Sequence, residues 1–520
     1  MRGERQGNMA AAKAMAAAAA SRRVCFLTDV EGNWTYVRNF VRQSTCLRFA
    51  DQAHSQTATR ATGAAAQAVI EEQLELNDDC FLIFGGDAGD KAGETLQCYE
   101  QLVRLKKKYP DRVVLLVGNR DANKMRLTSE LDDTEMDFDT MAKEIREGPL
   151  WVPQERRVTI KDFLARRLSG EAKKPQSGDT GDSGQVTEEN DQLLQVANTK
   201  VNRLQWMLEH TMGAQGDFER RRKEIASRVD DASETSVSDE SVLQSYLDSV
   251  QRGGVLREYL ELGSLAFVAH DTLFVHGGII AGANGDVSSL GRIPSAPSTH
   301  LRSVSEWVQE LNGWYRSQVQ EWIDQPTWTP DRTTRGGNEL LKYALPDYPA
   351  SVIMGRHLQS SGMPTQLPAD LVQMLSENGI KRLIVGHTPH GNCPTVIKQK
   401  RSAAAGDLNS YFEEVIMCDT SYSNMKADDN RGDAAAELVL DVDGRVHIHG
   451  MLEDQRPIAF ASDDPMIGRE LRDGTQVKAK LTDTRDGEED EFLVYSVKSG
   501  FEYTYQYRKL HELEEIGFQD

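Results

Sequence analysis

The chain has 520 residues, with 81 acidic against 60 basic side chains and a formal charge of -21. That length exceeds one ordinary domain and allows a sizeable core, while the acidic balance disfavours a nucleic-acid groove or an anionic membrane surface as a partner. No stretch is long and apolar enough to span a bilayer, and the six cysteines (Cys25, Cys46, Cys80, Cys98, Cys393 and Cys418) form no CxxC pair, so they read as reduced core residues of a cytoplasmic protein.

Residues 1–23 read as an alanine-rich disordered tail with a faint likeness to an organelle transit peptide. From residue 24 to 127 apolar runs alternate with helical stretches: VCFL, a helical stretch around Ala64 to Leu76, CFLIF, a helix from Glu94 to Tyr109, and RVVLLV. This alternation predicts the first half of an α/β core. Residues 128–260 lose the alternation and read as a helical insertion around a polar stretch, SGEAKKPQSGDTGDSGQVTEEND, that cannot form a core. Helical spacing of apolar residues in 192–212 and 241–262 supports this, and the insertion is either a cap over a site or a decoration. Residues 261–425 resume the core with a hairpin turning near His270 and Asp271, helices around 304–322 and 370–378, and the runs ending at His387 and Asp419. Residues 426–520 read as a closing hairpin with Asp-Gly at its turn and a small β appendage.

Five of the apolar runs end in polar motifs: TDVEGN (28–33), GGDAGDK (85–91), GNRD (118–121), VHGG (275–278) and GHTPH (386–390). Carboxylates, an asparagine and histidines thus stand just past strand carboxyl ends, where open α/β sheets build their sites.

In order, strand context and separation this series resembles that of the calcineurin-like metallophosphoesterases: DxH, GDxxD, GNH followed by an acid, a lone His and a final GH motif. GHTP followed by CDTSY around Asp419 looks most like the bacterial and phage-type serine/threonine protein phosphatases. The resemblance covers residues 24–424, interrupted by the insertion. It implies a four-layer αββα sandwich and hydrolysis of phosphate esters, on a protein or a small molecule, by in-line attack of a hydroxide bridging two metal ions. It also implies that Asp87 bridges the ions, that Asp29 completes one site, and that Asn119, His276 and His387 complete the other.

Two departures from the family pattern bear on mechanism. Glu31 replaces the His of DxH, which makes the first site all oxygen and favours manganese, iron or magnesium over zinc. The alternative is that Glu31 pairs with a nearby base. Arg120 replaces the histidine credited with protonating the leaving group; a guanidinium gives up no proton but can clamp phosphate, with Asp121 fixing its plane. Lys91 supplies a second phosphate contact or is an ordinary solvated lysine, and Asp90 supports the site by hydrogen bonds. His390 faces the substrate, binds a metal or caps its loop. Arg335, Arg356 and His357 are further substrate-binding candidates, and His447 and His449 read as structural. Two alternatives remain beside phosphatase activity: a metal-binding interaction protein weakened by loss of the GNH histidine, and a (di)nucleotide pyrophosphohydrolase.

Overall fold

The computed structural model describes residues 14–50, 72–170, 188–229, 234–279, 291, 293–294, 303–346, 348, 351–400, 411–420, 433–483, 489–500 and 502–519. Its strands in chain order are β1 (Arg23–Leu27), β2 (Leu47–Phe49), β3 (Leu74–Leu76), β4 (Cys80–Phe84), β5 (Val113–Leu115), β6 (Ala266–Ala269), β7 (Thr272–Val275) and β8 (Arg382–Val385). They continue as β9 (Thr395–Lys398), β10 (Glu414–Met417), β11 (Ala435–Leu440), β12 (Val446–Met451), β13 (Pro457–Ala461), β14 (Gln476–Lys480), β15 (Glu491–Ser499) and β16 (Glu502–Lys509).

Two sheets carry the core. One has the order β13-β12-β11-β1-β4-β5, with β1, β4 and β5 parallel; the other has the order β6-β7-β8-β10-β9, with β7, β8 and β10 parallel. Strand side chains alternate between faces. Phe26, Phe81, Ile83 and Val114 of the first sheet therefore meet Phe274, Ile384, Val396 and Ile416 of the second in one buried cluster. The Phe26 and Phe274 rings lie 5.7 Å apart across that seam. Cys25, Leu27, Leu82 and Phe84 on the opposite face of the first sheet, and Leu273, Val275, Leu383 and Val385 on that of the second, pack among helical residues such as Trp34, Tyr99, Leu102, Trp307 and Leu375. Helix, sheet, sheet, helix is the four-layer arrangement that the resemblance implies, built on the α/β alternation of the sequence.

The structure differs from the sequence reading in several elements. Of the helical stretch around Ala64 to Leu76, residues 64–71 lie outside the described residues, and Leu74–Leu76 form a strand antiparallel to Leu47–Phe49. Alanine favours helix, but a two-strand pairing with Leu74 and Leu76 buried overrides that preference. Residues 14–20 are helical, with Ala19 buried, where the tail was read as disordered. The helix of 192–212 restarts at Thr199, whose side chain caps Asn202, and ends in a π-turn over Met207–Thr211. That of 241–262 breaks at Gly253 and Gly254, where a Cβ on Gly254 would stand 2.1 Å from the Asp248 carbonyl oxygen. Between residues 128 and 260 the described elements are all helical, and the polar stretch lies mostly outside the described residues. The three-stranded sheet β14-β15-β16 is more than an appendage: Val477, Phe492 and Val494 extend the buried cluster between the two main sheets.

A buried ionic knot ties this helical region to the second half of the core. Glu130 accepts from Arg126 Nε and Nη2 at 2.7 and 2.9 Å and from Arg335 Nη1 at 2.9 Å. Arg126 also donates to the Thr211 carbonyl, and Arg335 stacks on Trp328. Burial pushes the Glu130 carboxyl up, but the two guanidinium groups outweigh it and hold it at about 2. Because the folded value lies below the unfolded one, this contribution is complete above an unfolded pKa of about 4.3 and is lost as pH falls toward about 2. We expect Glu130→Gln to cost about 3–5 kcal/mol, since two buried arginines lose their charge partner. It should also flatten the fall of the melting temperature between about pH 4.5 and 2. Melting curves of both proteins across that range check this, and parallel curves would remove the assignment.

Candidate metal centre

The loops after β1, β4, β5, β7 and β8 converge at one edge of the sandwich. Two sets of ligand atoms lie within 4.8 Å of one another there: Asp29, Glu31 and Asp87, and Asp87, His276 and His387. Asp87 is common to both. Of the eight non-glycine residues with positive φ among those described, five are in these loops: Asp29, Glu31, Asp87, Asp90 and His387. Such backbone costs on the order of 1–3 kcal/mol per residue and persists where surrounding structure enforces it, chiefly at functional sites.

The enforcement is visible. The backbone N–H groups of Asp29 and Glu31 donate to the carbonyls of Gly86 and Asp87, lacing the first loop to the second. Asp29 Oδ2 accepts from the His387 backbone at 2.9 Å, tying the first loop to the last. Gly118 has no room for a side chain, because a Cβ would stand 2.1 Å from Asp87 Oδ1 and 2.7 Å from His276 Cε1.

Several donor atoms at the centre are buried without a hydrogen-bond partner: Asp29 Oδ1, Asn119 Oδ1, His276 Nε2 and His387 Nε2. Buried polar atoms are almost always satisfied, so four orphans at one place call for a cause. His276 Nδ1 lies 2.7 Å from the Gly85 carbonyl, which holds a proton on that nitrogen and turns Nε2 toward Asp87, 3.6 Å away. Burial lowers the His276 pKa, yet Asp87 overrides it and raises it to about 10. Burial and then the Asp419 charge push the Asp29 carboxyl well above its ordinary range. His387 is driven far below its usual value by burial and by Arg356, so its ring is neutral and able to ligate. Crowded carboxylates, histidine Nε2 atoms turned inward and orphaned oxygens are the donor set that divalent cations satisfy. The residues present fit two such ions around Asp87.

Glu31 stands in the first cluster, but both its oxygens have partners: Oε1 accepts from Arg120 Nε at 2.9 Å, and Oε2 lies 3.3 Å from Lys91 Nζ. Pairing with nearby bases is therefore what the structure places there. Lys91 is buried against Glu31 and is not a solvated surface lysine. Arg120 Nε also lies 3.6 Å from Asp87 Oδ2, and its Nη1 donates to the Gly213 carbonyl of the helical region at 3.1 Å.

Asp121 does not orient Arg120. Its carboxylate accepts from the backbone of Asp87 and Gly118 at 2.8 Å, from Ala88 at 3.1 Å and from the Tyr99 hydroxyl at 2.5 Å, so it shapes the strained turn that carries Asp87. The physical reason is proximity: the start of the short helix over Asn119–Asn123 faces the N–H groups of the neighbouring turn, not the guanidinium. Asp90 pairs with the buried Lys124. Of the three roles open to His390, its contacts match capping of its own loop: its Nδ1 lies 2.8 Å from Thr395 Oγ1, its ring packs on Tyr495 and Tyr503 of the C-terminal sheet, and it belongs to neither ligand cluster. Arg335 belongs to the Glu130 knot, and His357 is buried beneath Gly278. Arg356 is exposed, with Nη1 3.5 Å from Thr388 Oγ1 of the last motif, and it feels the charges of Asp419, Asp29 and Asp87.

Sequence reading missed Asp419 as a neighbour of Asp29 and, although it offered the helical insertion as a cap over a site, named none of the residues by which that region reaches it. Asp419 follows β10 at the same strand edge, which was the available signal. From the helical region, Gly213 meets Arg120, Arg220 donates to the Asp90 carbonyl at 2.9 Å, and Glu224 accepts from the backbone of Leu96 and Gln97 at the start of the helix after the second motif. No such contact has a local sequence pattern.

No protein-family model and no curated protein matches the chain. Among solved structures it is similar to a cold-active protein-tyrosine phosphatase of a psychrophilic Shewanella species, at 14% identity over 84% of this chain and 80% of that one, TM-score 0.35. It is also similar to a protein serine/threonine phosphatase from Saccharomyces cerevisiae with similarity to human phosphatase PP5, at 10% identity over 83% of this chain and 82% of that one, TM-score 0.32. Likeness at that level carries no functional argument, which rests on the site itself. No helix among the described residues is long and apolar enough to cross a membrane.

Proposed function

We propose that the protein is a metal-dependent hydrolase of phosphate esters. The observation that carries this reading is the meeting of two ligand clusters on the shared carboxylate of Asp87, with orphaned donor atoms on Asp29, Asn119, His276 and His387. Asp29 and Asp87, with Glu31, would hold one divalent ion, and Asp87, Asn119, His276 and His387 the other. Bound there, such ions supply charge neutralisation for a phosphoryl group and a hydroxide at neutral pH.

The chain's own residues do the rest. Asp121 fixes the turn of Asp87, and Gly85 fixes the tautomer of His276. Arg120 and Lys91 balance Glu31, and Arg356 at the exposed rim stands ready to receive phosphate oxygens. The pairing of Glu31 with two bases also supports a second reading, a metal-binding protein with weakened turnover. Hydrolysis of p-nitrophenyl phosphate, a phosphoserine peptide and a dinucleotide in the presence of manganese tests the proposal. Turnover of an ester above the dinucleotide agrees with it, turnover of the dinucleotide alone points to a pyrophosphohydrolase, and metal binding without turnover points to the second reading.

The donor set has a consequence for the metal. Oxygen ligands around Asp29 favour manganese, iron or magnesium over zinc. We expect chelator-treated protein to be reactivated better by manganese or magnesium than by zinc, and Glu31→His, which adds a nitrogen ligand, to move the preference toward zinc. Best reactivation of the wild type by zinc would show the hard-ligand argument to be wrong.

A further inference from the structure

We propose a second metal site in this protein, a thiolate site for a soft divalent ion such as zinc, built from Cys25, Cys46 and Glu437, with Cys80 nearby, on the helix-covered face of the first sheet. Cys80 opens β4, Cys25 lies within β1 and Glu437 lies within β11, three neighbouring strands. The register pairs Arg23 with Cys80, Cys25 with Leu82 and Cys25 with Val439, so Cys25, Cys80 and Glu437 stand on one face, Cys80 two positions to one side of Cys25 and Glu437 two positions to the other. Cys46, just before β2, lies against Cys25 and Glu437. Ligand atoms of Cys25, Cys46 and Glu437 lie within 4.8 Å of one another, and all four residues are buried. Tetrahedral zinc with Zn–S of about 2.3 Å sets its donors roughly 3.8 Å apart, so Cys25, Cys46 and Glu437 need to close by about 1 Å or less.

The surroundings suit an ion better than they suit plain packing. Glu437 is oriented by the Thr45 backbone at 2.6 Å, the Thr45 hydroxyl at 3.1 Å and the Ser44 hydroxyl, as outer partners orient a metal-binding carboxylate. Arg23 Nη2 lies 3.6 Å from Cys80 Sγ, and His449 Nε2 lies 3.3 Å from Glu437 Oε2. Two thiolates, a carboxylate and a divalent ion sum to a charge of about minus one, which a protonated His449 beside Glu437 would neutralise. Binding releases one proton from each thiol, and no redox step is involved. Sulfur donors on the helix-covered face of the sheet and oxygen donors in the loops would sort zinc from manganese within one chain.

Cobalt(II) tests this, because a thiolate ligand gives a near-ultraviolet charge-transfer absorption that oxygen and nitrogen ligands do not, and the catalytic clusters contain no cysteine. In full-length reduced protein we expect that absorption at one equivalent per chain. It should be retained in Asp87→Asn and in Cys393→Ser, abolished by a mercurial thiol reagent and lost in Cys46→Ser. The wild-type readout needs no variant to fold. Absence of the band in reduced wild type, its persistence in Cys46→Ser, or a Cys25–Cys46 disulfide that forms in the purified protein in place of metal binding would overturn the proposal.

Discussion

Asp87→Asn is expected to lose metal and to lower hydrolysis of p-nitrophenyl phosphate by at least about 10²–10³-fold, the scale on which removing one preorganised electrostatic group acts. Asp87 is the residue common to both ligand clusters, and its Oδ1 accepts from the Arg120 backbone while its Oδ2 faces His276. The amide preserves shape and removes the charge. Burial raises the Asp87 pKa, but His276 and Arg120 hold the carboxyl below its ordinary value, so it is charged at neutral pH and the substitution takes away a real charge. Metal content by mass spectrometry and the hydrolysis rate should fall together. An unchanged stoichiometry and rate would remove the shared-ligand role.

Arg120 carries the second large effect. Glu31 and Asp87 raise its pKa further despite burial, so it holds its proton at every working pH. His390, the nearest sequence alternative as an acid, packs against Tyr495, Tyr503 and Thr395 and belongs to neither ligand cluster. Alkyl phosphates, whose leaving alkoxides need a proton, should therefore lag behind aryl phosphates by more than in a protein that retains the GNH histidine. Arg120→His should raise the alkyl rate selectively, by about 10²-fold where the imidazole reaches the leaving oxygen. Arg120→Ala should slow all substrates, because Glu31 then faces Asp29 and Asp87 with Lys91 as its remaining base. Rates of the three proteins on p-nitrophenyl phosphate, a phosphoserine peptide and a nucleoside diphosphate check this. Equal wild-type efficiency on the aryl and alkyl esters would mean that another acid serves the site.

The parts of the fold legible in sequence were those with a strong local period. VCFL, CFLIF and RLIV are buried on both faces and bounded by glycine and acidic residues, so strand ends and the motifs beyond them could be read together. The β2–β3 ribbon was illegible because two three-residue strands leave almost no pattern, and Leu74–Leu76 adjoins an alanine-rich run. Residues that reach across the fold were also hidden. Asp121 could be read only as a neighbour of Arg120, since the N–H groups it holds belong to a loop some thirty residues earlier. Gly213 and Glu224 were invisible for the same reason, and so was the burial of His390 by a C-terminal sheet whose role no motif announces.

The central claim is that Asp87 organises two ions that work together in hydrolysis. Titrating manganese into chelator-treated protein while following bound metal and p-nitrophenyl phosphate hydrolysis in the same samples tests it most directly. The account predicts that activity rises with the second equivalent and saturates at two ions per chain in the centre. Full activity at one ion, or two ions bound there with no hydrolysis, would contradict it.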